Sequence, residues 1–132
     1  MFDFIKKKPK REKRVPEKKD LSLVEKKERH ELIFVKEQEC RQLEGQGQKP
    51  EILAKAYESL GVLQAAVDQE VALETLEKSF SYQLSIGEGY KTLMSLYNQK
   101  RSEAAHRGDG DEIDKWMGKM DELRQIARNN TI

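Results

Sequence analysis

Cysteine is nearly absent from this 132-residue chain: Cys40 stands alone. A single cysteine excludes an internal disulfide and suits a reducing compartment, so a cytoplasmic location is expected. Long apolar runs are missing as well. Hydrophobic residues make up 36% of the chain and charged residues 37%, and no run nears the roughly 20 residues of a membrane span. A secretory signal is not expected, because the opening MFDFIKKKPKREKR sets a short apolar cluster ahead of its charge instead of behind it. The only histidines, His30 and His106, lie far apart and share no metal-ligand spacing with Cys40. The loop GDGDEID (108–114) resembles a calcium loop only superficially, with Asp114 where a glycine is needed and Met120 where the closing glutamate would stand. These absences leave no catalytic constellation and no cofactor motif; the expectation is a protein that is not an enzyme.

What is present is charge, unevenly spread. The net charge of +1 conceals nine Lys/Arg against three Asp/Glu in residues 1–19, and 16 against 21 in the remainder. A basic arm is thus joined to an acidic body. The arm holds Pro9 and Pro16 and no cluster of apolar residues after Ile5, so it cannot bury enough surface to offset chain ordering and is expected to be disordered. Residues 20–132 are expected to form a single α-helical domain.

No segment of that domain alternates with period two, whereas apolar residues recur at helical spacing. Asp20 is expected to cap a long helix reaching about Glu44, with Leu21, Val24, Leu32, Val35 and Leu43 as its stripe. GQGQKP (45–50) reads as a linker, with Gly45 just past one helix and Pro50 opening the next. Ile52, Leu53, Ala56, Tyr57, Leu60, Leu63 and Val67 predict the second helix. A third starts near Asp68 and carries Val71, Ala72, Thr75, Leu76, Ser79, Phe80 and Gln83. After GEG (87–89), Tyr90, Leu93, Met94 and Tyr97 open a fourth that runs to about His106. Asp111 is expected to cap the last helix, whose apolar face is Ile113, Trp116, Met117, Met120, Leu123 and Ile126. The fold class is all-α.

Two stretches repeat. Tyr57-x2-Leu60-Gly61 and Tyr90-x2-Leu93-Met94-x2-Tyr97 lie 33 positions apart, and Ala72-x3-Leu76-x2-Ser79 follows the first. This pattern resembles the tetratricopeptide repeat, or TPR, over about residues 52–126. The resemblance implies two TPR-like helical hairpins plus the long N-terminal helix, which would cap one end or pair with another subunit; an ordinary four-helix bundle is the competing architecture. It further implies a groove, lined by the first helix of each hairpin, that holds a protein or peptide partner. The groove positions would be Lys55, Glu58, Val62 and Ala65 from the first unit and Glu88, Lys91, Ser95, Asn98 and Gln99 from the second. Lys91 and Asn98 resemble groove residues that grip a peptide backbone or carboxylate.

The arm has competing readings. Phe2, Phe4 and Ile5 could enter a membrane interface while Lys6, Lys7, Lys8, Lys10 and Arg11 face anionic headgroups; the start is similar to that of the signal recognition particle receptor. The same charges could meet nucleic acid or a ribosome, act as a nuclear import signal, or only aid solubility. The apolar residues at 2, 4 and 5 favour the membrane, since phosphate contacts do not need them. The expected function is a non-catalytic adaptor, assembly factor or chaperone with a membrane-docking arm; the alternative is a nucleic-acid-associated accessory protein. A homodimer is consistent with the long first helix.

Overall fold

A computed structural model of the chain describes residues 22–130; Asp20, Leu21 and the whole arm lie outside them. Among the described residues there are five α-helices and no strand: α1 (Leu23–Gly45), α2 (Pro50–Gln64), α3 (Gln69–Tyr82), α4 (Glu88–Arg107) and α5 (Gly110–Asn130).

The boundaries have local causes. Ser22, not Asp20, caps α1: its hydroxyl accepts from Glu25 N at 3.1 Å, and Glu25 Oε1 accepts from Ser22 N at 3.0 Å, a reciprocal capping box. Gly45 is the last residue of α1, and Gly47 takes the left-handed position expected of it, with φ 68°. There Gly47 N donates to Glu44 O and Gln48 N to Leu43 O, satisfying carbonyls the helix end leaves over. Pro50 opens α2, where its missing N–H costs nothing. Asp68 accepts from Val71 N and caps α3. Gly108, at φ 71°, closes α4 in the same manner as Gly47 closes α1. The cap expected at Asp111 falls instead to Asp109, whose Oδ1 accepts from Glu112 N at 3.2 Å; Asp111 sits in the first turn of α5.

α2 and α3 pack most extensively, followed by α4 and α5; α1 lies on α2, and α4 touches both α2 and α3. No other pair of these helices comes into close backbone contact. α3 runs back along α2. Ser79 Oγ donates to Ala54 O at 2.7 Å near the start of α2, while Gly61, further along α2, faces the earlier Leu76. A Cβ on Gly61 would sit 2.6 Å from Leu76 Cγ, so only glycine permits this approach. Ala72, Leu76 and Ser79 are sealed from solvent, while Val71 and Gln83, expected on the same face of α3, are exposed. Burying Leu76 alone contributes about 1.5–3 kcal/mol.

The main core gathers α3, α4 and α5 through Ala72, Leu73, Leu76, Leu93, Leu96, Tyr97, Trp116 and Leu123. A smaller cluster of Ile33, Cys40, Tyr57 and Leu60 holds α1 to α2. This overturns the stripe expected on α1. Val24, Leu32 and Val35 are exposed, at 65%, 54% and 60%, and α1 buries only Ile33 and Cys40. LIFV (32–35) is apolar all the way round the helix, so its spacing carries no direction. Ile52, Met117 and Ile126 are likewise exposed at the edges of their faces.

Candidate functional site

The groove positions expected on α2 and α4 fare differently. Lys55, Glu88, Lys91, Ser95 and Asn98 are exposed. The side chains of Lys55, Lys91 and Ser95 make no hydrogen bond or ion pair with the described residues, and Asn98 Oδ1 accepts from Arg101 Nε at 3.0 Å within α4. Val62 and Ala65 are half-buried and pack on the main core, so they shape the surface more than they present a grip. Gln99 is half-buried beside Lys100.

Glu58 is committed to the fold. From α2 it reaches the start of α4, where its Oε2 accepts from Gly89 N at 2.9 Å and its Oε1 from Ser85 Oγ at 3.3 Å. Gly87, the residue before α4, offers no side-chain cap. The carboxylate of Glu58 therefore does that work across 31 positions of sequence, placing negative charge at the positive end of the helix. A Cβ on Gly89 would lie 2.5 Å from Glu58 Cγ, so the glycine is what lets the acid in. A cleft of about 330 Å³ opens beside this contact, lined by Glu51, Ile52, Lys55, Glu58, Gln83 and Ser85.

Two further polar clusters bind successive helices together, and neither was foreseen. In the first, Glu44 at the end of α1 accepts from Tyr57 OH (α2) at 2.8 Å and from Tyr82 OH (α3), and pairs with Lys78 Nζ (α3) at 3.0 Å. Lys78 Nζ also lies 4.7 Å above the Tyr57 ring, which stacks on Tyr82 at 6.1 Å. Hydrogen bonds from Tyr82, Lys78 and Tyr57 hold the Glu44 carboxyl down at about 2. The same bonds push the Lys78 and Tyr82 values up, while Tyr57 rises chiefly through burial. Cys40, one turn earlier on α1, is buried, and loss of solvent raises its thiol to about 11. It is an inert, protonated core residue at neutral pH.

In the second cluster Glu77 (α3) accepts from Tyr97 OH (α4) at 2.6 Å and from Lys119 Nζ (α5) at 3.1 Å. Tyr97 leans on Trp116 at 5.8 Å, and Trp116 Nε1 donates to Glu112 at 3.0 Å. Burial, then the bond to Glu77, pushes the Tyr97 hydroxyl far up. The signal that could have found both clusters is the tyrosine itself: a buried ring needs a partner for its hydroxyl, and neighbouring helices carry acids, Glu44 at the end of α1 and Glu77 within α3. Which acid serves which ring is set only by the packing.

Chemically these arrangements hold helices together and expose polar side chains; they do not converge on a reacting atom. Among the described residues no group of three or more His, Cys, Asp and Glu side chains could hold a metal, and no helix is long and apolar enough to cross a membrane. Phe2, Phe4, Ile5, Lys6, Lys7, Lys8, Lys10 and Arg11 lie outside the described residues. No family model, curated protein or solved structure matches this chain.

Proposed function

We propose that this protein is a non-catalytic interaction module: two TPR-like helical hairpins, α2–α3 and α4–α5, with α1 packed on one end, binding a protein or peptide on the α2–α4 surface. The observation that carries this reading is the open chain of neighbours. α5 makes close backbone contact with α4 alone, and α1 with α2 alone. In a closed bundle the last helix would return to the first ones; in a repeat array each unit meets only the next. Lys55, Glu88, Lys91 and Ser95, exposed and without a side-chain partner among the described residues, are where such an array offers its surface. Glu58 is absorbed by Gly89 and Val62 by the core, so the binding residues of this reading are Lys55, Glu88, Lys91, Ser95 and Asn98. The basic arm then holds the module at an anionic membrane, its three apolar residues entering the interface.

Affinity capture from the native host tests the groove. The full chain is expected to retain a protein partner that is lost by the Lys91→Glu, Asn98→Ala double variant; retention by that variant sinks the groove. Sedimentation with anionic vesicles tests the arm. Phe2→Ser with Phe4→Ser should abolish cosedimentation. Binding to nucleic acid that ignores those changes and falls steeply with salt would establish the alternative instead.

A further inference from the structure

The outward face of α1 carries a pattern that is its own complement. Val24, Lys27, Glu31 and Phe34 follow at spacings of three, four and three, which places them in one seam of a helix as successive a and d positions. All four are exposed, Val24 at 65% and Phe34 at 60%. Ile33 and Cys40, by which α1 holds α2, lie on the other side. Residues 22–28 are exposed on every side, which leaves room for a second helix. Neither Lys27 nor Glu31 has a hydrogen bond or ion pair among the described residues. Read forward the seam is apolar, basic, acidic, apolar; read backward it is apolar, acidic, basic, apolar.

We propose that α1 pairs with α1 of a second copy, antiparallel, about a two-fold axis level with Arg29. Val24 then meets the partner's Phe34, and Lys27 meets the partner's Glu31, each contact occurring twice. Leu23 and Val35, exposed at 84% and 60%, flank the two apolar ends. Arg29 is half-buried on the body side of α1, so the axis brings no like charges together. A parallel pair would set Lys27 on Lys27 and Glu31 on Glu31, and a slip of one heptad would set Phe34 against Glu31. The charges therefore select both direction and register, the established use of polar residues in such seams. The seam is short compared with the ~800 Å² per partner of a standard interface. The pair should accordingly be weak, with a Kd on the order of 10–100 µM. It leaves the α2–α4 surface free and does not depend on what binds there.

Sedimentation velocity on the full chain, up to about 500 µM, tests this with four proteins: wild type, Lys27→Glu, Glu31→Lys, and the variant with both changes. All these positions are exposed, so the circular dichroism should not change. The wild type should dimerise with rising concentration. Each single reversal puts two like-charged pairs in the seam and should weaken association at least about tenfold. The double reversal should restore it, and so should an equimolar mixture of the two single variants, which forms the complementary heterodimer. A wild type that stays monomeric throughout would overturn the proposal. So would single reversals without effect, or a double reversal as weak as the singles. The last result would mean that the seam serves a different partner or a different geometry.

Discussion

The two carboxylate clusters make a comparison within one molecule. Each takes an acid from one helix, a tyrosine hydroxyl from the next and a lysine from the one after: Glu44, Tyr57 and Lys78 across α1, α2 and α3, then Glu77, Tyr97 and Lys119 across α3, α4 and α5. Glu77 and Lys78 are adjacent on α3, so one helix serves both. The surroundings differ. Tyr97 and Trp116 belong to the main core, so the second cluster sits on extensive apolar packing between these helices. The first cluster sits at the margin of a small core, on a helix that buries only Ile33 and Cys40. The same chemistry is expected to be an accessory in one place and a principal fastening in the other. Where little apolar surface is buried, polar contacts supply a larger share of what holds the helices together.

The largest change would come from breaking the second region by its packing. Trp116→Ala should cost about 3–5 kcal/mol, and denaturant unfolding should report a loss throughout the chain.

Next in size is Glu44→Ala, expected to cost about 1–2 kcal/mol, since three hydrogen bonds are lost from partly exposed ground. Its signature is local. Amide exchange should accelerate through residues 33–45 and stay unchanged in α4 and α5; equal acceleration in both regions would mean that the two clusters do not differ in this way. Glu44 also adds a pH dependence. Its folded value of about 2 lies below the ordinary 4.5, so its contribution is complete above about pH 4.5 and disappears as pH falls toward 2. Thermal melts across that window should show a smaller acid loss in Glu44→Gln than in the wild type.

Tyr97→Phe removes one hydroxyl from the better-packed cluster and should cost about 1 kcal/mol, with Glu77 still paired to Lys119. A loss as large as that of Glu44→Ala would reverse the ranking.

The smallest effect has the opposite sign. Gln64 is 3% exposed, and its Oε1 has no hydrogen-bond partner among the described residues. Gln64→Leu should therefore stabilise by about 0.5–1 kcal/mol in urea titrations.

Much of the helical layout was legible because its causes are local. Pro50 at the start of α2, Asp68 as the cap of α3 and Leu93 with Tyr97 on the inner face of α4 could be read directly. Errors fell where local causes compete. Asp20 and Ser22 are both good caps, and only Ser22 has a glutamate three positions on to complete a box. Gly45 and Gly47 both fit a helix end, and the hydrogen bonds chose Gly47. Of the candidate groove, the sequence placed Lys91, Ser95 and Asn98 on an exposed face of α4. It could not reveal that Glu58 is drawn off to Gly89, because nothing local joins positions 58 and 89.

Taken alone, the sequence determined that the chain is helical, roughly where its helices begin and end, and that a basic arm precedes an acidic body. Periodicity, caps and charge counts are properties of neighbouring residues. Only the tertiary structure decided which side of α1 faces inward, which acid meets which tyrosine, and that Glu58 caps α4 from another helix. Those outcomes depend on which residues distant in sequence arrive beside each other. A side chain's role as ligand, cap or tie is fixed by whatever unsatisfied group packing brings within about 3 Å of it.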